Sequence, residues 1–295
     1  MLKGIQPDTT EKKPIQVSVL APEQLTMKLI TQKEKIIKGS SHTIKYEISG
    51  IPKPNKIWWM KDGLERKGED SASLVFDEFQ PTDEGCYICY AKNAAGTSES
   101  DPLSLICLEK PTVLLHCEEL QIKKGSNHII KCSVSGKPIP NTLSWKKRIH
   151  KDNTTVDLTE AKYAGGTVDS PSLTIKDFDM SDEGTYTCQA INEAGEGCSE
   201  ELLLLCIEKL TLKLTTQKEK IIKGSSHTIE CKISGIPKPN QIWWMKDNVK
   251  RKGRDLASLV FKEFQLSDEG CYICYATNAA GTSESGELTL ECIGW

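Results

Sequence analysis

The residues best suited to chemistry in this chain are its 12 cysteines and 5 histidines. Two cysteine pairs have the C-x-x-C spacing of redox and zinc sites: Cys86 with Cys89, and Cys271 with Cys274. Both kinds of site need the two thiols on one turn or at a helix start. Here the spacing falls on strands of alternating residues, where positions i and i+3 point to opposite faces. We therefore predict no metal or redox centre at either pair.

The histidines give no catalytic pattern. His42, His128 and His227 occupy one repeated position beside the same strand, which indicates a structural or surface role rather than a unique site. The chain has no G-x-S-x-G nucleophile turn, no phosphate-binding loop and no His/carboxylate spacing for a metal. We predict a protein that is not an enzyme and that holds no cofactor.

Composition favours a β protein. The chain has 295 residues, 38% of them hydrophobic, and these lie in short alternating runs typical of strands that bury one face. The net charge of −3 does not provide the basic field that nucleic acid requires. The longest apolar run, 202–207, is far too short to cross a bilayer, so no membrane insertion by this segment is expected.

The first residues do not form a signal peptide. Residues 1–13 are polar and charged, which fits either a cytoplasmic protein or a piece of a longer secreted one. Residues 14–22 alternate like a final strand and end at a proline. We interpret residues 1–22 as a leader that could be the tail of a preceding domain.

A repeated stretch organises the rest of the chain. The skeleton D-x-G-x-Y-x-C-x-A-x-N-x-x-G occurs at 83–96, at 182–195 and at 268–281. It describes a turn, a strand on which Tyr and Cys share one face, and a second tight turn. Each copy follows a G-x-P-x-P loop and a tryptophan strand. The repeat predicts three domains, at 23–108, 109–207 and 208–295.

A tyrosine two residues before a cysteine at a strand start is the tyrosine corner of an immunoglobulin sandwich. All three units resemble immunoglobulin domains of the I-set. The resemblance implies an all-β chain of three tandem sandwiches, and the short linkers favour a semi-rigid rod. It also implies buried aromatic residues at seven positions: Trp59, Trp145, Trp244, Tyr87, Tyr186, Tyr272 and Tyr46.

In such sandwiches the cysteines of strands B and F face each other across the core. The resemblance therefore implies the bridges Cys132–Cys188 and Cys231–Cys274. In the first domain Tyr46 takes the strand B position, so we predict Cys89 to be a free thiol.

Three more bridges are predicted with less regular geometry. Cys86–Cys107 and Cys271–Cys292 would join the ends of the hairpin between strands F and G, although alternation places their members on opposite faces and a bulge would be needed. Cys117–Cys198 would join the first strand of the middle domain to its strand G. Cys206 is left as a free thiol.

The cysteine content favours an oxidising, extracellular compartment. Asn153 begins the sequence Asn-Thr-Thr, an acceptor for N-glycosylation.

The alternation of side chains along the strands predicts an exposed apolar cluster in two of the domains. If Trp59 and Cys89 face the core, their neighbours on strands C and F face outward. These are Trp58, Met60, Ile88 and Tyr90 in the first domain, and Trp243, Met245, Ile273 and Tyr275 in the third. The middle domain has Ser144, Lys146, Thr187 and Gln189 at the same positions.

Exposed aromatic patches tend to mark protein interfaces. The alternative is that long neighbouring side chains, such as those of Lys56 and Lys92, cover the cluster, or that a neighbouring domain folds back on it.

The resemblance implies two candidate functions. Arrays of this kind resemble hemicentin-like and neural adhesion proteins, which implies cell adhesion or recognition through sandwich faces. The partners would be proteins, including a second copy of the chain, and the segment would be a fragment of a longer extracellular array. Such arrays also resemble the titin and twitchin kind of muscle protein, which implies a cytoplasmic scaffold or spacer in the sarcomere. A receptor-kinase ectodomain or a secreted immune-recognition protein would differ in segments outside this stretch.

Overall fold

The computed structural model describes residues 21–31, 34–66, 70–149, 152–155 (backbone), 160–215, 218–251 and 256–294. Predictions for residues 1–20 and for the Asn153 side chain lie outside that part. Within it the chain forms strands and three short 3₁₀ turns, and it contains no α-helix. None of its helical turns is long and apolar enough to span a bilayer. The chain divides into two compact units, one ending at Leu108 and the other beginning at Glu109.

The first unit contains one two-sheet sandwich. Its strands are β1 (Thr26–Leu29), β2 (Lys35–Ile37), β3 (His42–Ser49), β4 (Lys56–Lys61), β5 (Leu64–Arg66), β6 (Ser73–Phe76), β7 (Gly85–Asn93), β8 (Gly96–Glu99) and the first part of β9 (Leu103–His116). One sheet has the order β1-β3-β6, and the other has the order β2-β9-β7-β4-β5, with β8 also paired to β7. A 3₁₀ turn at Pro81–Asp83 leads into β7.

The second unit contains two sandwiches. The first of them takes the last part of β9 and adds β10 (Gln121–Lys123), β11 (His128–Lys137), β12 (Thr142–Ile149), β13 (Asp152–Thr155), β14 (Tyr163–Gly165), β15 (Leu173–Ile175), β16 (Gly184–Asn192), β17 (Gly195–Cys198) and β18 (Leu202–Ile207). Its 3₁₀ turn is Met180–Asp182. The sheets are β9-β11-β15-β14 and β10-β18-β16-β12-β13, with β17 on β16.

The last sandwich repeats the arrangement of the first. Its strands are β19 (Thr211–Leu214), β20 (Lys218–Ile222), β21 (His227–Ser234), β22 (Gln241–Lys246), β23 (Val249–Lys250), β24 (Ser258–Phe261), β25 (Gly270–Asn278), β26 (Gly281–Glu284) and β27 (Leu288–Ile293), with a 3₁₀ turn at Leu266–Asp268. The sheets are β19-β21-β24 and β20-β27-β25-β22-β23, with β26 on β25. The all-β prediction of three tandem sandwiches is confirmed.

Each core is built around the predicted tryptophan. Trp59, Trp145 and Trp244 are at most 4% exposed, and each indole N–H donates to a backbone carbonyl 2.8–3.1 Å away. The indole therefore buries its large apolar surface without leaving its one donor unsatisfied. The rest of the core comes from inward residues of both sheets, as alternation along the strands requires.

The tyrosine corner sets the start of strands β7, β16 and β25. Tyr87, Tyr186 and Tyr272 are fully buried, and each hydroxyl donates to the carbonyl of the aspartate four residues earlier, at 2.6–2.8 Å. The glutamate of each D-E-G turn accepts from the backbone N–H of the cysteine on the last strand, as Glu84 does from Cys107 at 2.7 Å. The motif thus connects its turn to two strands.

The asparagine of each motif copy hydrogen-bonds to the backbone at the point where the chain enters that sandwich. In the last sandwich the Asn278 amide donates to the carbonyls of Glu208, Ile236 and Pro237, at 2.9–3.1 Å. Asn93 and Asn192 make the matching bonds in the other two sandwiches. The carbonyl groups of the entering backbone have no neighbouring strand to bond with, so the asparagine side chain donates their hydrogen bonds.

The same contacts form the junction between the two sandwiches of the second unit. Glu208 donates its N–H to the Ile236 carbonyl at 2.6 Å, and its carboxylate accepts from the Lys124 ammonium at 3.0 Å. Ile236 packs against the core of the preceding sandwich. At Gly235, with φ of +124°, an added Cβ would meet the Leu210 Cα at 3.0 Å. A glycine therefore lets the linker approach this loop closely.

We expect Asn278→Ala to destabilise the last sandwich by about 1–3 kcal/mol, because it removes the donor of the part-buried hydrogen bonds to the carbonyls of Glu208 and Pro237. The measurement is the unfolding free energy of the full chain from a urea titration. Thr277→Ala, at the neighbouring position, is the matched control and should cost much less. An equal loss in the two variants would contradict the assigned role.

The sandwich between Glu109 and Ile207 contains a half-buried charge cluster. The Lys162 ammonium lies 2.8 Å from an Asp179 carboxylate oxygen and 2.6 Å from one of Asp182, whose side chain is 1% exposed. Burial acts to lower the Lys162 pKa, but the hydrogen bonds to both carboxylates outweigh it and raise that pKa. The hydrogen bond from Lys162 likewise holds the pKa of Asp179 below its usual range.

Lys162→Met should destabilise this sandwich by about 2 kcal/mol at pH 7, because it removes the cation from a buried carboxylate. The Asp179 pKa is lower in the folded chain than in the unfolded one. Its stabilising contribution is therefore present above about pH 4 and is lost as the pH falls further. Calorimetric melting between pH 7 and pH 3 should show less acid sensitivity in Lys162→Met than in wild type. Lys176→Met is the control, and an unchanged acid sensitivity in Lys162→Met would refute the assignment.

Candidate protein-interaction faces

Two matching clusters lie on the outer faces of the first and last sandwiches. We call them face 1 (Trp58, Met60, Ile88, Tyr90) and face 3 (Trp243, Met245, Ile273, Tyr275). In face 1, Trp58 pairs with Tyr90 and Met60 with Ile88 across β4 and β7. In face 3 the same pairing joins β22 and β25. Strand alternation therefore brings together the four predicted side chains in each sandwich.

Aromatic stacking holds each face in a defined shape. The rings of Trp58 and Tyr90 are 5.3 Å apart at an interplanar angle of 12°, and those of Trp243 and Tyr275 are 5.4 Å apart at 9°. Such pairs contribute about 0.5–1.5 kcal/mol beyond the area that they bury. All eight side chains are half-buried rather than fully exposed, because they cover one another.

A lysine extends each stack, and the two lysines come from different strands. The Lys56 ammonium lies 4.8 Å from the Trp58 ring centroid, whereas on face 3 the Lys250 ammonium lies 5.1 Å from the Trp243 centroid. At solvent-exposed sites a cation over an aromatic ring gives about 0.5–1 kcal/mol. The covering by Lys56 was one of the alternatives from sequence. The contact of Lys250 with the Trp243 ring was not predicted from the sequence. Lys250 occupies the position in the third repeat that Glu65 occupies in the first.

A carboxylate lies at the edge of both faces. The hydroxyl of Tyr90 is hydrogen-bonded to Glu99, which raises the pKa of the tyrosine, and Tyr275 has the same bond to Glu284. The corresponding face of the middle sandwich has Ser144, Lys146, Thr187 and Gln189, together with an Arg148–Glu201 ion pair. It is a polar surface with no aromatic residue among these.

The thiols of two predicted bridges lie in contact. Cys132 and Cys188 are hydrogen-bonded to each other across the middle core, and so are Cys231 and Cys274 in the last one. The hydrogen bond, and after it burial, raises the pKa of Cys188 and of Cys274, so that both thiols are favoured in their neutral form.

The first sandwich contains an isolated core thiol instead. Cys89 is fully buried, and burial raises its pKa to about 12. Tyr46 fills the place of the missing cysteine, with its ring 5.8 Å from that of Trp59 and its hydroxyl donating to the Asp101 carbonyl at 3.3 Å. Cys206, the other predicted free thiol, is buried in the middle core.

The structure does not bring together the remaining predicted pairs. Cys86 is aligned with outward-facing Ser104, whereas Cys107 faces the core. Cys271 and Cys292 have the same relation. The bulge that would bring either pair to one face is absent from the described pairing of β9 with β7 and of β27 with β25.

Cys117 directly follows β9, which pairs with β11, whereas Cys198 ends β17, which belongs to the other sheet. The chain changes sheets between the end of β9 and β10, so that β10, rather than the segment with Cys117, runs beside strand G. Cys198 faces outward opposite Gln189.

One titratable cluster lies away from both faces. The Cys117 sulfur is 3.0 Å from Nε2 of His128, beside a shallow depression that is lined by His116, Glu118 and Lys131. Burial raises the pKa of the Cys117 thiol and lowers that of His128, so that both groups are favoured in their neutral forms. Nucleophilic catalysis needs the thiolate. Among the residues that the structure describes, no group of three His, Cys, Asp or Glu side chains could hold a metal ion.

Comparison with known proteins agrees with this geometry. A family model described as the immunoglobulin I-set domain matches residues 111–203, and one described as an immunoglobulin domain matches residues 24–93 and 209–278. The chain belongs to the immunoglobulin superfamily. The I-set resemblance predicted from the motifs is thereby confirmed.

Two relatives cover most of the chain. It is 28% identical to Protein sax-3 of Caenorhabditis elegans, over 86% of the chain and 21% of that protein. It is 30% identical to human Hemicentin-1, over 90% of the chain and 5% of that protein. The chain thus spans about a fifth of the first relative's length and about a twentieth of the second's. A three-domain titin structure, I67–I69 in an E-to-A variant, superposes with a TM-score of 0.62 at 26% identity, covering 93% of this chain and all of that one.

Proposed function

We propose that this chain is a non-enzymatic recognition module that binds protein partners through face 1 and face 3, as part of a longer extracellular array. The observation that carries the proposal is the repetition of one stacked Trp–Tyr cluster at the same outward positions of two sandwiches. The strands that carry the two clusters are close copies: β4 and β22 differ at one of six positions, and β7 and β25 differ at one of nine. The middle sandwich has polar side chains at the same positions, as is usual for a sheet face that contacts water.

The physical features of the two faces suit an interface. Tryptophan and tyrosine are enriched among residues that carry binding energy, because they bury a large area with few rotatable bonds. Here the stacking already orders the rings, which lowers the entropy that binding would cost. The predicted Asn153 glycan would lie in the middle domain, outside both faces.

Changing Trp58→Ser and Trp243→Ser together should weaken binding at least tenfold, since loss of an aromatic anchor typically costs about 2 kcal/mol or more. The measurement is binding to cells from the native source by beads that carry many copies of the chain, so that weak contacts add up. The control changes Thr187→Ala and Ser144→Ala on the middle sandwich. Undiminished binding by a double variant that keeps its melting temperature would sink the proposal.

The alternative function is a cytoplasmic scaffold or spacer of the titin kind. It is favoured by the likeness to the titin structure at 26% identity over nearly the whole chain. The extracellular function is favoured by the two thiol pairs in contact across the cores, since an oxidising compartment would convert both into disulfides.

Counting thiols in protein from the native source distinguishes the two compartments. With the chain unfolded in denaturant, so that burial protects no thiol, we expect Cys132, Cys188, Cys231 and Cys274 of the extracellular array to resist alkylation until they are reduced. We also expect the oxidised form to be more stable by about 2–5 kcal/mol per bridge. Twelve alkylated cysteines before reduction would instead establish a reducing compartment and favour the scaffold. Mass spectrometry also shows the state of the other eight.

A further inference from the structure

The charges on face 1 have an order along the strands. Lys56 and Lys92 are paired across β4 and β7 and form an exposed basic row. The Trp58–Tyr90 row follows, and then the Met60–Ile88 row, in which Met60 is also paired with exposed Glu65 on β5. Successive rows are separated by two residues of a strand, or about 6.7 Å. Face 1 is therefore basic on one side of its aromatic row and acidic on the other.

Face 3 keeps the aromatic row but not this order. Gln241 and Thr277 replace the two lysines, and Lys250 replaces Glu65 beside Met245. Along the strands, face 3 therefore goes from an uncharged row to a row with Lys250. Face 1 goes in the same direction from a basic row to a row with Glu65. The two faces share an apolar centre and differ in what their flanks would repel or attract.

We propose that face 1 binds face 1 of a second copy of this chain. This inference rests on the proposed function, for which it names the partner of one face. Two identical surfaces meet about a two-fold axis that lies in the interface. If that axis runs along the Trp58–Tyr90 row, the strands of the two copies are antiparallel. The basic row of each copy then lies over the Met60–Ile88 row of the other.

This arrangement joins opposite charges twice, and it sets like charges against one another once, where the Glu99 carboxylates beside the Tyr90 ends of the row meet. Lys56 is on β4, and Glu65 is on the neighbouring strand β5. In this arrangement the backbone positions of Lys56 in one copy and Glu65 in the other are offset sideways by one strand spacing, about 4.8 Å. The two long side chains can close this offset across the interface. The symmetry repeats this pair on the other side of the axis. Lys56 is already held over the Trp58 ring.

The same superposition disfavours the other combinations. Face 1 on face 3 would place Lys56 near Lys250, and face 3 on face 3 would set uncharged Gln241 and Thr277 against Lys250. Like charges that face one another across an interface cost binding free energy and exclude wrong partners. The charged residues that differ between the two faces thus select a second copy of face 1.

The expected contact is small. Four strands at about 4.8 Å and three rows at about 6.7 Å cover roughly 400 Å² on each copy, which is below the usual size of specific interfaces. We therefore expect weak, salt-sensitive self-association in solution and firm adhesion only between surfaces that carry many copies.

Sedimentation of the full 295-residue chain over a range of concentrations tests the inference. Glu65→Lys and Lys56→Glu should each weaken self-association at least tenfold, because each change sets two pairs of like charges against one another. An equimolar mixture of the two variants should associate again, within about threefold of wild type, because both charge pairs are restored in the mixed dimer. No structural defect of either variant would produce that rescue. Lys45→Glu, a charge reversal at an exposed position on β3 in the other sheet of the same sandwich, is the control and should change nothing.

A chain that stays monomeric at high concentration, charge variants that associate like wild type, or a mixture no better than its components would each overturn the inference. These results are distinguishable from failure of the proposed function, which is measured by cell binding of the Trp58→Ser, Trp243→Ser variant. If that variant loses cell binding while wild type does not self-associate, the faces bind a different protein and only the second copy is ruled out.

Discussion

The hydrogen bond from the motif tyrosine to the aspartate carbonyl four residues earlier is the interaction on which the rest of each sandwich depends. It anchors the first residues of β7, β16 and β25 to the preceding turn and so sets which residues of these strands face inward. Side chains alternate between the two faces of a strand. Once the tyrosine faces inward, the direction of every other side chain on that strand is therefore fixed. Cys89 must face the tryptophan, and Ile88 and Tyr90 must face outward.

The outward positions are thereby free to vary, and the three sandwiches use them differently. Two of them place a stacked tryptophan and tyrosine there, while the middle one has polar side chains and an Arg148–Glu201 ion pair. The framework of buried tryptophan, buried tyrosine and chain-holding asparagine is the same in all three. A common scaffold therefore presents two aromatic faces and one polar face, and function lies in these surface residues rather than in the fold.

The cores differ in a second way that bears on the compartment. Two cores bring a pair of thiols into contact, whereas the first packs Tyr46 against Trp59 beside the isolated thiol of Cys89. The Tyr46 ring fills the space that a disulfide bridge would occupy. Its hydroxyl donates a hydrogen bond to the Asp101 carbonyl near the edge of the core. The first sandwich can therefore form its core without an oxidant.

The sequence by itself determined the fold, the inward aromatic residues and the eight outward residues of the two faces. These follow from local rules: the period of a strand, the turn chemistry of D-E-G and N-x-x-G, and the repeat that shows them three times. Parity along the strands also placed Cys86 outward and Cys107 inward. Only the tertiary structure decided what depends on neighbouring strands and on sheet changes. The crossing between β9 and β10 separates Cys117 from strand G, and the pairing of β23 with β22 brings Lys250 over Trp243. Spacing along one chain cannot show such contacts, because they depend on which strands become neighbours and in what register.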